Sequence, residues 1–333
     1  MSVLVTGGAG YIGSHMVLRL ADAGNEVVVL DNLVTGFDWA VDRRASFVEG
    51  DVGDTRFVET VLDQHNVEAI LHFAGSIVVP ESVENPLKYY RNNTANTRNL
   101  IEAAVNAGVK HMIFSSTAAV YGMTGNDPVS EDAVLNPMSP YGRSKLMSEM
   151  MLADVAAAHD LTYGVLRYFN VAGADPAGRS GQSTPRATHL IKVACQAALG
   201  QRDEMYIYGT DYDTSDGTGL RDYIHVTDLI EAHALLLEHL RGGGENLTLN
   251  CGYGHGYSVR EVVDTVKSVS GVDFKAIETD RRAGDPAAVV AGADRIRKVL
   301  GWEPAHADLT EIVGAAYGWE KYLLTRNDRP EIA

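Results

Sequence analysis

Between an apolar run, Val3-Leu4-Val5, and a stretch of helical periodicity stands Thr6-Gly7-Gly8-Ala9-Gly10-Tyr11-Ile12-Gly13. The order strand, glycine turn, helix leaves few folds open. Gly7 suits a tight turn, Gly10 lets backbone N–H groups approach a pyrophosphate, and Gly13 allows the helix to pack closely on the sheet. The N-terminus of that helix then faces the anion. A glycine trio also makes ordinary turns, so the context carries the reading. The helix from Tyr11 to Ala23 stops at Gly24, a second strand runs from Glu26 to Leu30, and Asp31 follows. That is roughly 20 residues past the loop, where a dinucleotide site places its ribose-binding acid. A carboxylate there accepts from both adenosine ribose hydroxyls and repels a 2′-phosphate, which selects NAD over NADP. Arg43 and Arg44 are the nearby opposing charges and read as solvated loop residues.

Short apolar strands continue through the first half: Ser46 to Glu49, Ala69 to Phe73, Met112 to Ser116 and Leu161 to Phe169, each preceded by a helical pattern. The alternation predicts an α/β fold, a Rossmann-type doubly wound parallel sheet with right-handed crossovers and both faces covered. Ligands collect at the carboxyl ends of such strands. Here those ends read Gly50-Asp51-Val52, Phe73-Ala74-Gly75, Ser115-Ser116-Thr117 and Phe169-Asn170. Each alone passes for a loop, with Asp51 a helix cap; the four together point to a site. From about Ala174 the chain turns to glycine-rich connections, helices over Val226 to Leu240 and Val259 to Ser270, and a short strand near Leu247 to Asn250. This predicts a dinucleotide-binding domain over 1–173 and a smaller C-terminal substrate-binding lobe over 174–333, with a soft boundary that segments can cross back.

Pro140-Tyr141-Gly142-Arg143-Ser144-Lys145 carries the chemistry. Ser139 suits the N-cap and Pro140 the first helical position, so Tyr141 and Lys145 share one helix face. A phenol titrates near 10. An ammonium beside it stabilises the phenolate and draws it toward neutrality, which makes the tyrosine a base for a sugar or alcohol hydroxyl. Thr117, at the preceding strand end, is placed to hydrogen-bond the same oxygen. A tyrosine four before a lysine is commonplace on helices; the glycine loop and the strand-end hydroxyl give it weight.

Composition narrows the partners. At 333 residues and 45% hydrophobic, the chain can bury a large core. A net charge of -16 argues against nucleic acid or an anionic membrane as partner while leaving an anionic small substrate open. Two cysteines, Cys195 and Cys251, give no disulfide framework, and eleven histidines give no metal-ligand spacing, so no metal is expected. No apolar run approaches about 18 residues. The first strand starts at residue 3 with no signal sequence before it, so the expected compartment is the cytoplasm.

These stretches together resemble the extended short-chain dehydrogenase/reductase family, and within it the UDP-glucose (UDP-galactose) 4-epimerase branch. The resemblance covers nearly the whole chain. It rests on Val3 to His15, Leu30-Asp31-Asn32, His72 to Gly75, Phe114 to Gly122, Ser139 to Leu146, Leu166 to Asn170 and, most distinctively, Asp216 to Val226. It implies that the glycine loop with Tyr11 and Ile12, then Asp31, Asn32, Asp51, Val52, Phe73, Ala74, Asn92, Tyr141, Lys145 and Phe169 surround NAD. It places Thr117, Asn170, His189, Leu190, Tyr206, Tyr208, Arg221, Arg282 and Asp285 around a UDP-sugar, with Tyr141, Lys145 and Thr117 catalytic. Arginines suit a diphosphate by bidentate contact, and Asp285 can accept from hydroxyls. The helical stretches Leu87 to Ala107 and Tyr141 to His159 resemble those that pair into a four-helix homodimer interface. The implied activity is 4-epimerisation of a UDP-hexose through a 4-keto intermediate. A pentose, N-acetyl or uronic-sugar epimerase would share the catalytic residues; a net dehydrogenase and an NAD-binding regulator are the other readings, the last disfavoured by the intact Tyr141 and Lys145.

The sequence also departs from the pattern. Thr117 stands where many relatives have Ser, Ile77 where several have Lys, and His189 where others have Asn. Ala118-Ala119 lies where dehydratases of the superfamily carry an acidic pair, which disfavours loss of water. Val289 stands where epimerases restricted to unsubstituted hexoses have a bulky Tyr, so room for a 2-acetamido group is expected.

Overall fold

The computed structural model describes residues 1–125, 127–185, 187–282 and 285–326. Its strands run β1 (Ser2–Thr6), β2 (Glu26–Asp31), β3 (Ser46–Glu49), β4 (Val67–His72), β5 (His111–Thr117), β6 (Thr162–Tyr168), β7 (Asn170–Ala172) and β8 (Met205–Tyr208). They continue with β9 (Leu220–Arg221), β10 (Tyr223–His225), β11 (Leu247–Cys251), β12 (Tyr257–Ser258), β13 (Ala276–Thr279) and β14 (Ala288–Val289). Seven of them form one sheet in the order β11-β6-β5-β4-β1-β2-β3, parallel at every pairing.

The two-residue period of a strand sends alternate side chains to opposite faces, and both faces are apolar here. Val3, Val5, Val27, Val29, Ala69 and Leu71 face α1 (Tyr11–Asp22), through Met16, Val17 and Leu20. Leu4, Val28, Leu30, Ile70 and Met112 face the other side, against Val58, Val61 and Leu62 of α2 (Thr55–Gln64). After β3 the chain crosses back to β4 on the far side of β1, so the carboxyl ends of β1 and β4 flank a topological switch point.

Three elements differ from the sequence reading. A single 3-10 turn, Asp38–Ala40, stands between β2 and β3 in place of a helix. The helix expected over 87–107 is preceded by α3 (Val79–Glu84) and is itself divided into α4 (Pro86–Tyr89), a π-helical turn Tyr90–Ala95, and α5 (Asn96–Asn106). The widened turn lets consecutive asparagines reach one residue: Asn92 Nδ2 donates to Ser76 Oγ at 3.0 Å, and Asn93 Oδ1 accepts from Ser76 N at 2.8 Å. Third, β11 lies outside the small lobe. It pairs with β6 at the edge of the large sheet, because Leu247, Leu249 and Cys251 are all buried and extend the same apolar layer.

The catalytic-motif helix is α6 (Pro140–Ala158), capped by Ser139 Oγ, which accepts from Gly142 N at 3.1 Å. Beyond it come α7 (Leu190–Ala198) and α8 (Val226–Arg241), the latter sharing a core with α1. The remaining helices are α9 (Val259–Ser270), α10 (Asp294–Leu300) and α11 (Leu309–Leu323). Three small sheets, β10-β7, β12-β9-β14 and β13-β8, lie apart from the large one, and the first continues from the carboxyl end of β6, since β7 begins two residues after it. Among the described residues no helix is long and apolar enough to cross a membrane.

Candidate active site

The loop after β1 is shaped by what its glycines lack. Gly7 has φ +70°, and a Cβ on it would stand 2.7 Å from Ala74 N, so this loop and the loop after β4 touch backbone to backbone. A Cβ on Gly13 would stand 2.1 Å from the Gly7 carbonyl oxygen. Gly10 caps α1 without a side-chain hydrogen bond, so the first-turn N–H groups at Tyr11, Ile12 and Gly13 are left for an anion. Tyr11 reaches away and donates its hydroxyl to Gly173 O at 2.7 Å. Asp31 ends β2 buried, with Oδ2 accepting from Ala9 N at 3.0 Å and Oδ1 from Leu33 N at 2.8 Å. Burial holds its carboxyl above the ordinary value, with the backbone donors at Leu33, Ala9 and Asn32 opposing. The glycine cradle, the uncapped helix end and the carboxylate fit a dinucleotide.

The other residues expected around a cofactor line the same rim. Asn32 Nδ2 donates to Asp51 Oδ2 at 3.3 Å, and Asp51 Oδ1 also accepts from Gly53 N at 2.8 Å and Asn96 Nδ2 at 3.1 Å. Val52 is buried beside it, Phe73 and Ala74 follow β4, and Phe169 follows β6.

Tyr141 and Lys145 lie on one face of α6 and meet the end of β5. Lys145 Nζ donates to Ser115 O at 2.8 Å and sits 4.6 Å from the centre of the Phe114 ring. The Tyr141 phenol faces the Thr117 side chain, which favours its ionised form. Burial pushes this phenol above its ordinary value, with Thr117 opposing; in the free protein the tyrosine is therefore not poised near neutrality as the sequence pattern suggested. Lys145 is brought down to about 8 by burial, with Glu149 opposing, so the ammonium survives at neutral pH. Next to it His72 is held near 3 by burial and by Lys145, and it stays neutral between Thr6 Oγ1 at 2.6 Å and Thr97 Oγ1 at 2.9 Å.

The residues expected around a sugar nucleotide fall on the small sheets and on α7. Asn170 opens β7 opposite Tyr223. His189 caps α7 without a side-chain cap; its Nδ1 meets Gln182 Nε2 at 2.7 Å, and Leu190 starts the helix. Tyr206 and Tyr208 stand 6.1 Å apart on β8, and the Arg282 guanidinium lies 3.7 Å from the centre of the Tyr208 ring. Tyr206 is 43% exposed and hydrogen-bonds Glu204. Arg221 on β9 is folded back on its own strand, with Nη1 donating to Leu220 O at 2.8 Å. Asp285 N donates to Arg282 O at 3.3 Å, while Ala283 and Gly284 lie outside the described residues. Val289 pairs with Arg221 and packs on Ala118, Val120, Tyr121 and Val129 beside Phe169. Ile77 is 51% exposed.

Three contributors escaped the sequence reading. Ser115 acts through its backbone carbonyl, to which no residue type points. Asn93 ties Ser76 O to Ser144 Oγ, with Nδ2 contacts of 2.9 and 3.0 Å, from inside the π-helical turn. Glu149 was detectable, because it continues the Tyr141 and Lys145 spacing by one more turn.

A profile of the NAD dependent epimerase/dehydratase family matches residues 3–252. A UDP-glucose 4-epimerase of Azospirillum brasilense is 59% identical over 321 residues, covering 96% of this chain and 92% of that one. The crystal structure of UDP-glucose 4-epimerase from Brucella ovis in complex with NAD superposes with a TM-score of 0.93 at 45% identity, over 95% of this chain and 97% of its own. The UDP-Glc/GlcNAc 4-epimerase of Campylobacter jejuni superposes with a TM-score of 0.85 at 48% identity, over 96% and 99%. Motif, fold and these likenesses agree, and the chain belongs to the NAD dependent epimerase/dehydratase family.

Proposed function

We infer that the protein interconverts UDP-galactose and UDP-glucose at C4 with tightly held NAD. The observation that carries this is the meeting of Tyr141 and Lys145 of α6 with the end of β5, in a chain of the epimerase family. The glycine loop, Asp31, Asn32, Asp51, Val52, Phe73, Ala74, Asn92 and Phe169 hold the dinucleotide, with Asp31 on the adenosine ribose. When bound, NAD supplies a reversible acceptor for the C4 hydride.

Tyr141 takes the proton of the C4 hydroxyl, Thr117 hydrogen-bonds the same oxygen, and the Lys145 ammonium favours the phenolate. Arg221 and Arg282 grip the diphosphate, with Asn170, His189, Leu190, Tyr206, Tyr208 and Asp285 around the remainder of the nucleotide. Anchoring through UDP leaves the hexose free to turn, so either face of C4 can be presented. The exposed Leu87 of α4 and Met147 and Met150 of α6 support a homodimer built on these helices. The net charge of -16 favours small-molecule over nucleic-acid partners, and the buried free thiols Cys195 and Cys251 suit the cytoplasm.

Val289 favours a second substrate. Its modest side chain beside Ala118 and Phe169, and the 48% identity to an epimerase described as acting on UDP-Glc and GlcNAc, support turnover of UDP-N-acetylhexosamines as well. The test is to add UDP-galactose to the purified protein without NAD and to resolve UDP-glucose by chromatography. A panel of UDP-sugars separates the N-acetyl, pentose and uronate alternatives. A net dehydrogenase would accumulate oxidised product and require added NAD.

A further inference from the structure

Behind Lys145 lies a buried ion pair for which the reading above has no use. Glu149 and Arg167 have side chains only 7% and 6% exposed, and they join α6 to β6 through Arg167 Nη2, which donates to Glu149 Oε2 at 2.6 Å. Arg167 Nε donates to both carboxylate oxygens, at 3.1 and 3.2 Å. Ser116 Oγ donates to Glu149 Oε1 as well. Arg167 Nη1 also donates to Tyr121 OH at 3.1 Å, and that hydroxyl donates to Asn250 Oδ1 on β11 at 2.6 Å. A buried pair is seldom worth more to stability than apolar side chains of equal volume, so its presence here calls for another reason.

The geometry supplies one. Tyr141, Lys145 and Glu149 follow one another at four-residue spacing along α6 and form one ridge. The ridge meets three consecutive residues of β5: Tyr141 contacts Thr117, Lys145 contacts Ser115 O, and Glu149 contacts Ser116. We propose that Glu149, locked by Arg167 and Ser116, is a positioning residue for the reaction, seating the Tyr141–Lys145 ridge against the end of β5. Its charge acts in the same sense, since it favours the Lys145 ammonium against burial. The other groups shown at that ammonium are the neutral His72 on β4 and the Phe114 ring on β5.

The inference rests on Tyr141 and Lys145 being catalytic, so wild-type turnover of UDP-galactose is measured first; its absence sinks that reading. In Glu149→Gln, kcat is expected to fall by about 10- to 100-fold, the scale on which small misplacements act, with KM little changed. The alkaline limb of the kcat/KM profile should move to lower pH. The Lys145 ammonium, followed by nitrogen NMR in the same protein, should titrate lower too, and Glu149→Asp should restore part of both effects. Should the glutamine variant not fold, Ser116→Ala keeps both charges and removes one hydrogen bond, and a lower kcat at unchanged KM is expected of it. Wild-type kcat with an unmoved limb and an unmoved lysine titration in Glu149→Gln, or wild-type kcat in Ser116→Ala, would overturn the role of Glu149 while leaving the epimerase reading intact.

Discussion

Lys145 Nζ donates to the backbone carbonyl of Ser115 at 2.8 Å, so the ammonium is tied to the strand whose next-but-one residue, Thr117, faces the phenol of Tyr141. One strand end thus fixes acid, base and hydroxyl together. Tyr141→Phe keeps the ring and removes only the phenolic oxygen. Turnover should fall by roughly 100- to 10,000-fold, the usual loss for a positioned base, with bound nucleotide unchanged. Retention of more than a tenth of wild-type turnover, measured as UDP-glucose formed from UDP-galactose, would remove Tyr141 from the role of base.

The same lysine sets a pH dependence with two opposite signs. Its folded value is lowered to about 8, so the support the ammonium gives the phenolate is lost as pH rises through that value, and this group's own contribution to kcat/KM declines there. Folding runs the other way. Between about 8 and the ordinary lysine value the unfolded chain binds the extra proton, so this group's contribution makes stability rise with pH across the window. Rate profiles and thermal denaturation over one pH series check both signs, and Lys145→Met should flatten the stability term.

Gly13→Ala tests the cradle. The added methyl would sit 2.1 Å from Gly7 O, and overpacking of this kind typically costs about 1–3 kcal/mol. The variant should copurify with much less nucleotide than the wild type, whose denaturation should release near-stoichiometric NAD. Stoichiometric NADP in the wild-type extract would contradict the role given to Asp31.

Much of this could be read from the chain because the informative signals are local. The glycine spacing, Asp31 at the end of β2, and the Ser139-Pro140 start of α6 each act within a few residues, and each stands where expected. What could not be read depends on contacts distant in sequence. Leu247 to Cys251 carries a plain strand pattern, and only its pairing with β6 places it in the large sheet. The π-helical turn is fixed by Asn93 bonding Ser76 and Ser144, residues 17 and 51 positions away. The tyrosine–lysine spacing could not reveal that burial raises the phenol, since that depends on the elements closing over it.

Val289→Tyr should abolish turnover of UDP-N-acetylglucosamine and spare UDP-glucose. Val289 packs beside Ala118 and Phe169, and filling such a space rejects the larger sugar by shape. The two other side chains considered for that space, Ile77 and His189 at the cap of α7, are both exposed. Kinetics on both sugars for both proteins decide it; no detectable N-acetyl turnover by the wild type would falsify the assignment.

The most direct measurement supplies the purified protein, without added NAD, with UDP-galactose carrying deuterium at C4. UDP-glucose that keeps the deuterium at C4 is expected, seen by NMR and mass spectrometry, with no net oxidised product. UDP-glucose carrying protium at C4, accumulation of a keto sugar, or no conversion at all would contradict it.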